Sequence, residues 1–355
     1  IGTIQIPLGV AGPARIHTFF SSTGSVTTDA DLLLPLATIE AALVASVSRG
    51  CKALSESGGA VVDIEDAGAT RGPVFQVSSI EEGKKLSEFC QSHFLDLKKV
   101  AEGTSHHLEL RSWKLDGVGP YRYIRFVFGT GEAMGLNMVT IASDRIVRYI
   151  EEQIGTHCIA VSGNYCVDKK ASWMNVIEHR GHPLRAEVVL SHEVMERVLK
   201  ITPEAMFETW ISKCMVGSAL TGSIGYNAQM ANILAAIYIA TGQDPAHVTE
   251  GSTGFTTTKI LPALSGEDAR ATRLAVSVYL PDCMIGTVGG GTSLPTQKEA
   301  LQLIASGFKT QDILSTDQLG AAIAVGILAG EISLLASLSE GTLARAHADL
   351  ARGKK

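Results

Sequence analysis

Residues 107–128 read His107-Leu-Glu-Leu-Arg-Ser-Trp-Lys-Leu115, then Asp116-Gly-Val-Gly-Pro120, then Tyr121-Arg-Tyr-Ile-Arg-Phe-Val-Phe128. The outer segments suit strands and the middle one a turn, so the stretch predicts a β-hairpin. Upstream, 80–100 is an amphipathic helical segment carrying Leu86, Phe89, Phe94 and Leu97. Downstream, 136–154 predicts a second helix, and 73–77 and 157–161 predict short strands. The resulting order, βαββαβ, is the ferredoxin-like arrangement. The expected fold class is therefore α+β. A small domain, 73–160, is inserted in a larger, mainly helical one made of 1–72 and 161–355.

Outside that unit, 1–34 carries Pro7, Pro13 and several glycines and predicts short strands and turns. A helix is expected over 36–54, where Leu36, Ile39, Leu43, Val44 and Val47 form one stripe. Further helices are expected over 191–200, 203–215, 227–240 and 297–306, and strands over 255–261 and 272–279. A late helical region, 311–351, is expected to break near Gly320 and Gly341.

With 355 residues the chain has room for about two domains. It is 45% hydrophobic and 19% charged, with 36 glycines, which marks a folded chain. A net charge of −6 argues against a general nucleic-acid binder. The six cysteines are scattered without CxxC or metal-ligand spacing, so reduced thiols and no metal are expected. No stretch reads as a signal peptide or a membrane span. The chain opens on Ile1, so upstream sequence and an anchored parent protein stay open.

Two glycine-rich runs point to a ligand. Gly286-Thr-Val-Gly-Gly-Gly-Thr292 could cradle phosphates with its amides or simply form a tight turn. Gly129-Thr-Gly-Glu-Ala-Met-Gly-Leu-Asn-Met138 opens onto the second small-domain helix. Glu40, placed in an apolar helix, could be an acid of raised pKa or a first-turn residue serving the helix dipole. Asp168-Lys169-Lys170 could hold an anion or be a solvated run. Asp244 could be catalytic or a turn residue, Asn232 a core amide, and His347 a proton donor or an exposed bystander. Together they supply carboxylates, a lysine and a histidine, suited to proton-coupled reduction of a carbonyl.

The combination resembles the catalytic domain of class I 3-hydroxy-3-methylglutaryl-coenzyme A (HMG-CoA) reductases. The matching motifs include Ala37-Thr-Ile-Glu-Ala-Ala42, Arg49-Gly-Cys-Lys52, Thr70-Arg-Gly-Pro73 and Gly135-Leu-Asn-Met138. Ser162-Gly-Asn-Tyr-Cys-Val-Asp-Lys-Lys170, Gly217-Ser-Ala-Leu-Thr-Gly-Ser223, Gly242-Gln-Asp244 and Gly286–Thr292 complete the set. The resemblance implies a four-electron reduction of HMG-CoA to mevalonate and free coenzyme A with two NADPH per turnover. It makes Glu40 the acid at the carbonyl oxygen and Lys169 the oxyanion stabiliser. Asp244 would tune both, Asn232 would support that network, and His347 would protonate the departing thiolate. Arg71, Ser162, Asp168, Lys170 and Lys213 match substrate positions, and Ser46, Arg49 and Lys200 positions near coenzyme A. Ser105, His106, Glu132, Met134, Gly135, Asn137, Val288, Gly289, Gly290 and Arg352 match NADPH positions on and around the ferredoxin-like insert. The resemblance further implies an active site between two subunits, a homotetramer, no nucleic-acid partner, a cytosolic catalytic domain, and an endoplasmic-reticulum anchor in the full-length protein.

The chain departs from the family at Thr104-Ser-His-His107, where the third residue is normally an arginine serving the 2′-phosphate of NADPH. Arg352 matches another arginine at that phosphate. Glu132 replaces an Asp, and Ser48, Ser337 and Gly353 are further changes. The loop 222–227 is one residue short, and 251–267 diverges. These departures spare Glu40, Lys169, Asp244 and His347. They suggest a divergent paralogue of fungal type that tolerates a statin-like inhibitor. A non-catalytic paralogue that binds ligand or forms mixed oligomers, and a lysine Schiff-base enzyme, are the competing readings.

Overall fold

The structure, a computed structural model, describes residues 2–266, 268–309 and 314–341. The chain begins with two long strands, β1 (Leu8–Phe20) and β2 (Val26–Ala37), paired antiparallel. This corrects the expected short strands and turns. Gly12 and Pro13 are taken up in a break of register between Ala11 and Ala14, so they do not end the strand. Helix α1 (Ala41–Glu56) starts later than expected. The backbone of Leu36 and Ala37 is committed to the ladder with Gly9 and Leu8, which leaves Ile39 exposed in the connection.

The strand β3 (Ala60–Ile64) follows, and then β4 (Ala69–Arg71) and β5 (Val74–Gln76). Next come α2 (Ile80–Ser92) and α3 (Phe94–Glu102), where one helix is expected. The break is at His93, whose backbone leaves the helical region and whose ring stacks on Phe89. The hairpin β6 (Glu109–Val118) and β7 (Tyr121–Gly129), the helix α4 (Leu136–Ile154) and β8 (His157–Ala160) complete this part. Their sheet runs β6-β7-β5-β8, all antiparallel, and β4 pairs with a further part of β7. Phe75, Leu86, Leu97, Phe126, Phe128 and Ile146 are buried in its core.

The remainder supplies β9 (Leu184–Leu190), helix α5 (Met230–Thr241), β10 (Phe255–Leu261) and β11 (Arg273–Leu280). Helices α6 (Pro295–Gly307) and α7 (Thr316–Glu340) follow. A mixed sheet of six strands, β10-β11-β9-β3-β1-β2, is the frame. The helices of this part, which hold more of its residues than the strands do, pack around that frame. β9 and β11 bury every second residue, Leu184, Ala186, Val188 and Leu190 against Leu274, Val276, Val278 and Leu280, as a half-buried sheet requires.

Helix α7 lies in the centre of the larger core. It is long and apolar enough to cross a membrane, with a mean hydropathy of 2.0, but 94% of that window is buried inside this fold. A helix apolar all round is a core helix when protein surrounds it. It runs unbroken through Gly320, where Leu184 packs close, and stops at Gly341. The expected break at Gly320 does not occur because that glycine serves a close approach. Glu331, fully buried on α7, accepts from the amides of Ala228 (2.7 Å) and Gln229 (2.6 Å) and from the Thr256 hydroxyl (2.6 Å). It thereby holds the start of α5, whose far end leads through Gly242 to Asp244.

Candidate active site

The loop after β8 is held in an unusual backbone path. Asn164, Val167 and Lys169 all have positive φ, 64°, 52° and 58°, which side-chain-bearing residues keep only when their surroundings impose it. The restraints are visible. Gly163 donates to the Gly72 carbonyl (2.6 Å), the Thr70 hydroxyl to the Cys166 carbonyl (3.0 Å), and the Lys169 amide to Glu250 Oε1 (3.2 Å). Lys169 Nζ, thus presented, donates to Asp244 Oδ2 at 2.7 Å. Asp244 is itself fixed as the cap of a short turn, accepting from the Ala246 amide at 3.0 Å. Burial pushes the Asp244 carboxyl up, but the bonds from Lys169 and Ala246, with the charges of His247 and Lys169, outweigh it and hold it below its usual value.

Behind this pair lies a buried ionic cluster. Arg180, fully buried, donates from Nε to Thr70 (3.0 Å), from one terminal nitrogen to Glu250 (3.0 Å) and from the other to Asp168 (2.6 Å). Burial opposes its charge, yet Asp282, Asp168 and Glu250 together push its pKa up. Burial pushes the Asp282 carboxyl up to about 8, with Arg180 pulling the other way. Asp168, His247 and Glu250 bring one ligand atom each within 4.8 Å of one another. The cation among them is the Arg180 guanidinium, which already engages the oxygens of Asp168 and Glu250.

Lys169, Asp244, Arg71 and Asp168 open onto a cleft of about 870 Å³. Its other wall is the start of α4, with Met134, Gly135 and Asn137, and the glycine run with Val288, Gly289 and Gly290. Gln243 clamps that run: its amide donates to the Gly286 carbonyl (2.9 Å) and its oxygen accepts from the Gly286 amide (3.0 Å). At Gly289 and Gly290 φ is positive, and a Cβ would meet nothing within 4 Å. The α4 N-terminus has Gly135 as its cap residue and no side-chain cap, leaving its amides for a ligand. A phosphate-bearing group fits such a wall.

Other residues singled out in the sequence lie elsewhere. Glu40 is the partly exposed residue just before α1, not a carboxylate embedded in an apolar helix, and it does not line this cleft. Asn232 is exposed, and its side chain bonds only Gln229 (3.3 Å) among the described residues, not Asp244. Lys213 lines a separate cleft of about 540 Å³. Ser46 and Arg49 donate to Ser333 on α7, and Arg49 also reaches the Ser337 hydroxyl and Glu340. Lys200 is exposed at a helix end. Ser162 lies 3.7 Å from the Cys166 sulfur, and Lys170 donates to the Asp168 carbonyl (3.2 Å).

Ser105 contacts Met138, a cleft residue, while His106 is exposed on the adjoining turn. Glu132 faces away from the cleft lining. Its carboxylate accepts from the Thr316 amide (2.6 Å) at the start of α7, a favourable place for a negative charge, and its carbonyl from the Thr287 amide (2.8 Å). His347 and Arg352 lie outside the described residues.

Arg180, Gln243, His247, Glu250 and Asp282 are missed by the sequence reading. A signal was present in Asp244-Pro-Ala-His247-Val-Thr-Glu250, where a spacing of three aligns polar side chains along one tight helical face.

Comparison with known proteins gives the family of the chain. The family model described as hydroxymethylglutaryl-coenzyme A reductase matches residues 1–352. The 3-hydroxy-3-methylglutaryl-coenzyme A reductase of Methanothermobacter thermautotrophicus is 43% identical over 99% of this chain and 84% of its own length. That of Aeropyrum pernix is 44% identical over 99% and 81%. Reductase 1 of Dictyostelium discoideum is 38% identical over the whole chain and 62% of its own length. The class II reductase of Streptococcus pneumoniae, solved bound to NADPH, superposes with a TM-score of 0.72 over 95% of this chain and 86% of that one, at 17% identity, a likeness of fold. With a reductase model spanning nearly its whole length and relatives above 40% identity, the chain belongs to the hydroxymethylglutaryl-coenzyme A reductase family.

Proposed function

We propose that the chain reduces HMG-CoA to mevalonate and free coenzyme A at the Lys169–Asp244 cleft, with two NADPH per turnover. The observation that carries this is a lysine amine 2.7 Å from a carboxylate, in one cleft with a glycine-rich, amide-lined wall. Bound NADPH supplies hydride to the carbonyl carbon of the substrate. Lys169 stabilises the negative charge that then develops on the carbonyl oxygen. Asp244 keeps the amine aimed through the hydrogen bond between them. Arg71 and Asp168, beside them, meet the glutaryl end, and a carboxylate there is suited to the Arg71 guanidinium.

Residues 73–160, a ferredoxin-like insert, hold the cofactor together with 286–292; residues 1–72 and 161–355 hold the substrate. Glu40 protonates the carbonyl oxygen, and His347 protonates the coenzyme A thiolate after the carbon–sulfur bond breaks. Since Glu40 lies outside the cleft of its own chain, a second copy supplies it, and the working unit is a dimer or a tetramer of such dimers. The catalytic part is cytosolic, and the anchor in the endoplasmic reticulum is carried by the resemblance to eukaryotic members alone.

The test is NADPH oxidation on addition of HMG-CoA, with NADH in parallel. Oxidation that requires HMG-CoA supports the reading. No turnover with either cofactor, in folded oligomeric protein, would turn the reading to a ligand-binding paralogue.

A further inference from the structure

Asp244, His247 and Glu250 run from the cleft into the core at a spacing of three, along a tight helical turn and the short helix after it. Asp244 is partly exposed, whereas His247 and Glu250 are fully buried. His247 Nδ1 lies 2.5 Å from Glu250 Oε1, and so donates to that carboxylate. His247 Nε2 has no hydrogen-bond partner among the described residues and lies 3.8 Å from Asp244 Oδ2. A buried imidazole nitrogen without a partner is costly.

Both carboxylates that flank the ring hold the same lysine. Glu250 accepts the Lys169 main-chain amide at 3.2 Å and so restrains its left-handed backbone. Asp244 accepts the Lys169 amine at 2.7 Å. The other charged groups around the ring are Asp168, 3.9 Å from Nδ1, and Arg180, which ties Asp168 to Glu250. Among the described residues, His247 lies against both the carboxylate that restrains the lysine's backbone and the carboxylate that restrains its amine.

We propose that His247 is a positioning residue: it couples Glu250 to Asp244 and thereby sets where, and how firmly, the Lys169 amine is held in the cleft. The inference rests on the reading of Lys169 as the oxyanion stabiliser. It adds a residue that never touches substrate and acts through the pair that does. Small misplacements of a stabilising group are expensive in rate, because the transition state rewards correct placement more than the bound substrate does.

The experiment compares wild type, His247→Ala and His247→Gln in the full chain. Folding is checked by circular dichroism and thermal melting. The expected result is a kcat lowered roughly tenfold to a hundredfold in His247→Ala. KM for HMG-CoA and NADPH should stay within about twofold. His247→Gln, which keeps a polar group near the Nε2 position, should recover part of kcat. Independently of turnover, competitive amine labelling read by mass spectrometry follows the protonation midpoint of Lys169, which should move in both variants.

Folded variants with wild-type kcat and an unmoved midpoint would make His247 a packing residue and overturn the inference. A loss of kcat without a moved midpoint would overturn it too, because the route through Lys169 would be wrong. If His247→Ala does not fold, His247→Gln decides. If wild type itself fails to turn over HMG-CoA, the proposed function falls, and the Lys169 midpoint still decides the coupling.

Discussion

Lys169 shows how little a residue's type says until its surroundings are known. In sequence it is one of two adjacent lysines; among the described residues Lys170 donates to the nearby Asp168 carbonyl, while Lys169 is held at both ends. Lys169→Ala should lower kcat by roughly 10²- to 10³-fold, the loss seen when one oxyanion donor is removed, with a small change in HMG-CoA binding by calorimetry. If the proposed NADPH site reaches the exposed turn at His106, His106→Arg should add a charge-assisted contact to the 2′-phosphate. The expected gain is about tenfold in the NADPH over NADH ratio of kcat/KM.

Asp282 makes a prediction about stability. Its carboxyl rises from an ordinary 3.8 to about 8 in the folded chain, so between these values the folded state holds a proton that the unfolded state releases. Stability from this group therefore falls as pH rises from about 4 to about 8 and is level beyond. Asp282→Asn should flatten that slope, read as melting temperatures at pH 5 and pH 8; an unchanged slope would place the titration elsewhere.

Among the elements, α1 and α7 pack most intimately at Gly50. A Cβ there would stand 1.8 Å from the Ala329 carbonyl oxygen, backbone that cannot step aside. Gly50→Ala should cost about 1–3 kcal/mol or more, measured by chemical denaturation, because the two helices must separate to admit a methyl group. The residue was legible as part of Arg49-Gly-Cys-Lys52, but its partner 279 residues away was not.

The same contrast runs through the other elements. The hairpin of β6 and β7 and the helix α4 follow from local pattern, since alternation and a helical stripe are properties of neighbours in sequence. The strands β1 and β2 do not: their length depends on pairing with each other and, for β1, with β3, which overrides Pro13. Lys169, Asp244 and the glycine run were legible as motifs and meet in one cleft. The buried Arg180, Glu250 and Asp282 were not, because a charged residue in sequence reads as surface until a compensating charge from a distant segment encloses it.

For the whole molecule, the position of Glu40 gives the clearest test. Glu40→Gln and Lys169→Ala should each keep at most about one hundredth of wild-type activity alone. If one chain supplies Glu40 and its neighbour Lys169, mixing the two after reversible dissociation should restore about one quarter of wild-type activity, since half the dimers are then mixed and carry one intact site of two. Failure of mixed dimers, shown to form by mass, to recover activity would put both residues in one chain.

The central helix α7 also sets a timetable. Its partners, β2, β3, β9, α1 and α5, all precede it in the chain, and its last fully buried apolar residue is Ala336. On a ribosome, where a chain emerges from its N-terminus at about 5–20 residues per second, the strands and helices that will enclose α7 appear first and have no centre to close upon. The sheet that carries the hairpin is complete in sequence by Ala160, so all its strands are available for pairing well before the most apolar segment of the other core emerges.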